Sequence, residues 1–343
     1  MEELIFKQSE KSERTFKPSL GFLGVGWIGR NRMEAVQKTE KATISMVADV
    51  SEETTKEALK AAPQAKQASS FDAILKNEEV DGVVIATPSA LHANQSIQAL
   101  NAGKSVFCQK PLGRTAQETA EVVRTAEKYN LSLGVDLSYR HTKAMRAVYN
   151  LIKSGNLGEI YAVELVFHNA YGPDKPWFYD PEQSGGGCVI DLGVHLTDLA
   201  MWCLDFPEVK NVSSKLFHQG KPLPKDAKVV EDYGIARIDL ANDAAIDLRC
   251  SWNLQAGKEA EIKAVFYGTK GGACFRNING SFYDFVAEAY YGTKTEVMVE
   301  PPDDWMGRAA AVWAEELAAG AEFDKDAWQY VKVSEILDMI YGR

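Results

Sequence analysis

One glycine pattern, Gly24-x-Gly26-x-x-Gly29, constrains this chain more than any other feature. The segment that leads into it, Leu20-Gly21-Phe22-Leu23-Gly24-Val25, is short, apolar and flanked by glycines, which is the pattern of a buried strand. Beyond it, Arg30 to Lys38 is helix-compatible, and a second strand-like segment, Thr43 to Val50, brings the acid Asp49 twenty positions past Gly29. In such a turn the first glycine allows the tight bend, the second admits a pyrophosphate to the backbone, and the third lets helix pack on strand. The combination predicts a dinucleotide-binding βαβ unit; a glycine-rich surface turn is the alternative, and it requires neither the strand, the helix nor the acid. Asp49 suits the adenosine ribose diol, whereas a 2′-phosphate would meet a like charge there, so NAD is favoured over NADP.

The alternation continues along the chain. Ser51 with Glu53 opens a helix that Pro63 stops. Then come a helix-like Phe71 to Lys76, an apolar run Val80 to Ala86, and a helix from about Ser89 to Ala102 closed by Gly103. A strand Ser105 to Cys108, a helix Thr115 to Tyr129 and a strand Leu131 to Val135 complete the series. This pitch implies a doubly wound parallel sheet, an α/β unit. After a helix His141 to Ser154 the texture changes to segments rich in β-branched and aromatic residues. These are Ile160 to Phe167, Tyr233 to Leu240, Ala244 to Trp252, Glu261 to Tyr267 and Gly272 to Phe275, with hairpin punctuation at Asn242-Asp243 and Gly268 to Gly272. The second half therefore reads as α+β, a mostly antiparallel sheet with a helix, Cys188 to Leu204, inserted early. A length of 343 residues suits two domains. We place them at 1–138, including a polar arm over 1–18, and at 139–323, with a last helix at about 324–343 that packs back on the first.

Composition excludes several classes. The 38 Lys and Arg against 48 Asp and Glu give a net charge of −10, and the cations are scattered among carboxylates, so no basic face for nucleic acid is expected. No apolar run approaches the roughly 20 residues that cross a bilayer, and the polar N-terminus lacks the apolar centre of a secretory signal, so a cytoplasmic protein away from membranes is expected. Five widely spaced cysteines form neither a disulfide framework nor a metal knuckle.

Several further residues are candidates for chemistry. Thr87 and Pro88 end the third apolar run, where a cofactor passes the carboxyl ends of parallel strands, and His92 sits in the first turn of the next helix. A Pro-marked turn with a helix-start Ser explains them equally well. Gln109-Lys110-Pro111 occupies the same place one strand later; Lys110 there is either a solvated loop residue or, on a turn stiffened by Pro111, a group aimed into the cleft. The richest pattern is Gly185-Gly186-Gly187 followed by a helix on which Asp191, His195, Asp198 and Trp202 share one narrow face at about 100° per residue. A polar stripe on an apolar helix is costly to bury unless paired or functional. Asp191 and His195 fit a general base with its orienting carboxylate, or a satisfied structural pair; one His without a second cluster argues against metal.

Taken in order, the glycine turn, Thr87-Pro88 with His92, Lys110-Pro111, and Gly185-Gly186-Gly187 with Asp191 and His195 resemble the glucose-fructose oxidoreductase/inositol dehydrogenase (Gfo/Idh/MocA) family. The resemblance runs from about Leu20 to the final helix and includes Gly155-x-x-Gly158-Glu159-Ile160 and Tyr267-Gly268-Thr269-Lys270-Gly271. It implies an N-terminal Rossmann domain and a C-terminal domain whose large open sheet serves oligomerisation, as a homodimer or homotetramer. It also implies that Lys110, Asp191 and His195 are catalytic. Gly24, Gly26, Trp27, Ile28, Gly29, Asp49, Thr87, Pro88, His92, Gln109 and Lys110 are the expected cofactor contacts. One departure stands out: the family usually has Glu before this lysine, and Gln109 hydrogen-bonds without charge.

The reaction so implied is hydride transfer between a secondary alcohol of a sugar, glycoside or cyclic polyol and the nicotinamide of NAD. His195 takes the hydroxyl proton, Lys110 stabilises the alkoxide, and Asp191 binds a neighbouring hydroxyl while holding the imidazole in register. Tyr139, Arg140, Tyr171 and Trp177 join these three as expected substrate contacts, since aromatic faces and an Arg fork suit polyhydroxylated or anionic ligands, although Tyr171 and Trp177 fit a locally packed loop as well. A ketoreductase acting on a keto-sugar, in some cases nucleotide-linked, keeps the same residues. A silent NAD-binding sensor would be expected to lose Lys110 or the Asp191 and His195 pair, and all three are present.

Overall fold

The computed structural model describes residues 16–224 and 226–343, so most of the polar arm lies outside the described residues. The first sheet contains β1 (Ser19–Leu23), β2 (Thr43–Ala48), β3 (Lys66–Gln67), β4 (Gly82–Ile85), β5 (Ser105–Cys108) and β6 (Leu133–Val135), all parallel, in the order β3-β2-β1-β4-β5-β6. Every residue of β4 and β5 is buried, because helices cover both faces of the sheet and its strands are apolar throughout rather than alternating. Leu20, Phe22, Val84 and Phe107 face one layer and Leu23, Val83, Ile85 and Val106 the other. Strand order reverses between β1 and β4, which opens a crevice at their carboxyl ends.

A helix not anticipated from the sequence, Arg308–Ala318, covers part of this sheet. Its buried stripe is mostly alanine (Ala309, Ala310, Ala314) and contrasts weakly with its surroundings. Trp313 supplies the bulk: its ring lies 5.7 Å from that of Phe107, and its indole N–H donates to Ser132 Oγ at 3.1 Å.

The second sheet has nine strands: β7 (Ile160–Asn169), β8 (Val209–His218), β9 (Lys221–Pro222), β10 (Tyr233–Leu240), β11 (Ala245–Ser251), β12 (Ala260–Gly268), β13 (Gly272–Asn277), β14 (Phe285–Tyr291) and β15 (Lys294–Val299). Their order is β15-β14-β13-β12-β7-β11-β10-β8-β9, antiparallel except for the β7–β11 pair. Strands β8, β14 and β15 extend the sheet beyond the expected segments; β8 and β15 are edge-side and polar, so they lack the apolar signal that marks the centre. One face packs Val163, Leu165, Phe167, Ile246 and Leu248 against the helices Lys143–Lys153, Val194–Cys203 and Trp328–Tyr341.

That last helix begins after a short 3-10 turn, Lys325–Ala327, and ties the two sheets together. Asp338 Oδ2 accepts from the Ala116 backbone N–H at 2.8 Å at the start of the helix Ala116–Tyr129, while Ser214 Oγ of β8 donates to the Ile340 carbonyl at 2.6 Å. No described helix is long and apolar enough to cross a membrane.

Candidate active site

The glycine turn sits at the mouth of the crevice. Gly24 has φ +81°, and a Cβ there would lie 2.5 Å from the Ala86 carbonyl oxygen, so the turn tolerates no side chain. A Cβ on Gly29 would lie 2.1 Å from the Gly24 oxygen, which is the close helix-to-strand packing expected of the third glycine. Gly26, by contrast, has nothing within 4 Å of where its Cβ would be: its open side is the cradle a pyrophosphate needs, at the start of the helix Trp27–Lys38. Trp27 stands out from this turn, 57% exposed. Asp49 ends β2 and accepts from the backbone N–H groups of Val25 (2.7 Å) and Ser51 (2.9 Å), so its carboxylate is anchored beside the glycine turn. The residues present fit a dinucleotide.

Past the ends of β4 and β5 lie two turns joined by His92. Its Nδ1 is 2.7 Å from the Pro111 carbonyl oxygen and its Nε2 2.6 Å from that of Thr87, and the ring is buried. His92 therefore spans the Thr87-Pro88 and Lys110-Pro111 turns, donating to one of these carbonyls and facing the other. Thr87 Oγ1 donates to Gln95 Oε1 at 2.6 Å, and Gln109 Nε2 donates to Asp136.

Lys110 crosses from the first sheet to the second. Its Nζ donates to Asp191 Oδ1 at 2.6 Å and to the Asp191 carbonyl at 2.8 Å. The other carboxylate oxygen, Oδ2, accepts from Trp252 Nε1 at 3.1 Å. Asp191 is thus held by Lys110 and Trp252, and not by His195, which corrects the expectation that it keeps the imidazole in register. The cause is local. Residues Val189–Gly193 form a π turn, in which the Val194 N–H reaches back five residues to the Val189 carbonyl, and only Val194–Cys203 is α-helical. The wider turn breaks the four-residue register assumed for a regular helix.

His195 is held by packing instead. The ring of Tyr139 meets it edge-on at 5.0 Å between centroids, and its Nδ1 is buried with no hydrogen-bond partner among the described residues. Burial, reinforced by the Lys110 charge, holds the imidazole well below the usual histidine range. It is therefore neutral near pH 7, the state a general base requires.

The three glycines before this turn answer to the chain's own packing. A Cβ on Gly186 would fall 2.2 Å from Tyr341 Oη, and one on Gly187 1.9 Å from the Glu231 carbonyl oxygen. Buried Glu231 accepts from the N–H groups of Gly187 (3.0 Å) and Val189 (2.9 Å) and from the Tyr341 hydroxyl (2.8 Å), clamping the π turn to the final helix.

The remaining expected substrate residues divide. Tyr139 is 8% exposed and its ring packs among Phe167, Phe275, Phe285 and Trp305, behind His195. Arg140 donates from Nε to Asp198 Oδ2 at 2.7 Å and is spent on a buried pair. Both stand where the polypeptide turns inward at Ser138–His141 as it leaves the first sheet. Tyr171 is exposed, with its hydroxyl 3.2 Å from Glu259 Oε1, and Trp177 stacks on Phe178 at 3.8 Å. Phe178 and Tyr179 in turn meet the ring of Trp252, so the loop adjoins Asp191 through Trp252. Trp252 and Tyr179 escaped the sequence reading; the place of Trp252 at the end of a predicted strand was the available signal. Among the described residues no His, Cys, Asp or Glu cluster of three or more is arranged to hold a metal, and all five cysteines are free and buried.

Comparison with known proteins matches residues 19–137 to a family model described as an oxidoreductase family with an NAD-binding Rossmann fold, and residues 145–274 to the GFO/IDH/MocA C-terminal domain. The chain is 30% identical over 212 residues to the D-glucoside 3-dehydrogenase of Escherichia coli (strain K12), a match covering 59% of this chain and 60% of that protein. It is 27% identical over 228 residues to the levoglucosan dehydrogenase of Pseudarthrobacter phenanthrenivorans, covering 60% of this chain and 58% of the relative. The chain thus spans about three fifths of the length of these two relatives by sequence. The structure of levoglucosan dehydrogenase with NADH and levoglucosan superimposes with a TM-score of 0.81 at 21% identity, over 94% of this chain and 96% of the other. The 3-ketoreductase KijD10 from Actinomadura kijaniata, with NADP and TDP-benzene, gives 0.80 at 20%, over 94% and 96%. At these identities the structural likeness establishes the fold.

Proposed function

The chain belongs to the Gfo/Idh/MocA oxidoreductase family, and on that premise we propose that it is an NAD-dependent dehydrogenase acting on a secondary alcohol of a sugar, glycoside or cyclic polyol. The observation that carries the reading is the Lys110 to Asp191 bond at 2.6 Å, which joins the end of the nucleotide-binding sheet to the turn that leads into His195, with the open Gly26 turn on the same sheet as Lys110. Gly24, Gly26 and Gly29 hold the pyrophosphate and Asp49 the adenosine ribose; Trp27, Ile28, Thr87, Pro88 and Gln109 lie along the same crevice. When bound, NAD supplies the hydride acceptor, and the protein aligns and shields it. Neutral His195 takes the hydroxyl proton of the substrate at a ring nitrogen. The Lys110 ammonium donates to the reacting oxygen as negative charge develops on it, and Asp191, braced by Trp252, fixes the lysine's direction. The same groups run a keto-sugar reduction in reverse, with His195 giving back the proton.

Asp49 at the end of the strand beside the glycine turn supports NAD over NADP, since a 2′-phosphate there would meet its carboxylate. The outer face of the nine-stranded sheet, with Tyr161, Ile235 and Val297 exposed, is where a second copy docks to give a homodimer or homotetramer. The deciding experiment is reduced-nicotinamide formation across inositols, aldoses and glycosides with NAD and NADP in parallel and Lys110→Ala as control. A signal with NAD on one sugar class that vanishes in the variant is expected; NAD binding with neither oxidation of any polyol nor reduction of any keto-sugar would overturn the reading.

A further inference from the structure

Behind the nicotinamide side of the cleft lies a charged cluster that the mechanism does not use. Asp136, 1% exposed, follows β6, and its backbone N–H binds the Cys108 carbonyl at 2.9 Å. Its carboxylate accepts from Arg32 Nε at 2.5 Å, from the Ser138 hydroxyl and from Gln109 Nε2. Arg32, 5% exposed, belongs to the helix that leaves the glycine turn and also donates to Ser138 Oγ at 3.2 Å and Asn31 Oδ1 at 2.9 Å. One cluster thus links that helix, the end of β5 and the end of β6, with Lys110 the next residue after Gln109.

The chemistry of the partners dictates how Gln109 is turned. Burial pushes the Asp136 carboxyl up, but the Arg32 charge and the donations from Ser138, Arg32 and Gln109 outweigh it and hold the group below the usual carboxylate range. An ionised carboxylate only accepts, so the amide of Gln109 must face it with nitrogen. That turns Gln109 Oε1, which receives no hydrogen bond among the described residues, away from Asp136 as the acceptor the side chain can offer a ligand. A carboxylate at position 109 would instead meet Asp136 head-on, and like charges at such a site disfavour each other strongly.

We infer that Asp136 and Arg32 are positioning residues for the cofactor: they orient the Gln109 carboxamide so that its carbonyl oxygen faces a hydrogen-bond donor on the nicotinamide half of the dinucleotide, and they require residue 109 to be neutral. The inference rests on the reading of the cleft as an NAD site and deepens it.

The test measures binding rather than turnover. NADH affinity, from nicotinamide fluorescence, and ADP-ribose affinity, from calorimetry, are compared for the wild-type chain, Gln109→Glu, Gln109→Met and the double variant Gln109→Glu/Asp136→Asn, each with a melting curve. Gln109→Glu weakens NADH at least about tenfold while ADP-ribose, lacking the nicotinamide, stays within about twofold. In the double variant the amide introduced at position 136 donates to the carboxylate introduced at position 109 and the charge of the cluster is unchanged, so NADH affinity returns to within about threefold of wild type. Gln109→Met, neutral but unable to hydrogen-bond, keeps the melting temperature closer to wild type than Gln109→Glu and still weakens NADH. Unaltered NADH binding in Gln109→Glu, or a double variant no better than the single, would overturn the positioning role. A wild-type chain that binds neither NADH nor ADP-ribose would overturn the cofactor reading itself, and this one with it.

Discussion

The two halves of the segment 189–203 carry similar residues and reach opposite ends. In the first half, Asp191 binds Lys110 across the cleft at 2.6 Å, with both side chains partly open, 14% and 18% exposed. In the second half, Asp198 binds Arg140 at 2.7 Å and is 1% exposed, while Trp202 stacks on Tyr149 at 3.9 Å with Arg140 and Arg146 near its ring. The Asp198 carboxylate accepts from both Nε and Nη2 of Arg140 and is sealed from solvent, whereas the Asp191 carboxylate stays partly open beside a lysine with one N–H unspent. An acid–base pair at a domain seam is therefore functional or structural according to its access and unfilled hydrogen bonds, not its residue types.

Breaking the closed pair gives the largest expected effect. Asp198→Ala leaves the Arg140 charge buried without its partner and should cost about 3–5 kcal/mol of stability. Denaturant unfolding measures this, and the folded fraction should still turn over. Lys110→Met acts on the open pair and inverts the pattern: kcat falls about 10²–10³-fold, with NADH binding and unfolding midpoint little changed. Near-normal turnover in Lys110→Met would remove the contrast between the two pairs.

The remaining effects are in pH. A general base held well below the usual histidine range keeps its neutral form at lower pH, so the acid limb of kcat/KM should fall below 6.5. Stability has its own limb through His141, which burial and then the Arg146 charge push down from 6.5 to about 4. Between those values the unfolded chain takes up a proton that the folded chain does not, so stability is fully present above about pH 6.5 and is lost as pH falls toward 4. Melting temperatures across this window read it, and His141→Gln should flatten the slope.

Legibility followed the range of the interactions. The glycine cradle was readable because its strand, turn, helix and acid are contiguous, and each glycine answers to sterics within the same βαβ unit. Lys110, Asp191 and His195 were readable one at a time, as polar residues at strand ends or on an apolar helix. Their connections were not. The Lys110 to Asp191 bond spans 81 residues, and the Trp252 to Asp191 bond 61. His92 and Arg140 carried polar groups in suggestive places, and their partners, the Pro111 carbonyl and Asp198, lie 19 and 58 residues away. The helix Arg308–Ala318 was missed because an alanine stripe has little contrast, and β8 and β15 because edge strands are polar.

By itself, then, the sequence determined a parallel nucleotide-binding sheet, a second mostly antiparallel one, the family and the residue types at the site, since periodicity, turn chemistry and glycine sterics act over a few residues. Only the tertiary structure decided that Asp191 steers Lys110 rather than His195, that Tyr341 and Glu231 account for Gly186 and Gly187, and that Asp136 turns Gln109. Each is a hydrogen bond or close approach between distant segments, and its existence depends on where packing brings their backbones together.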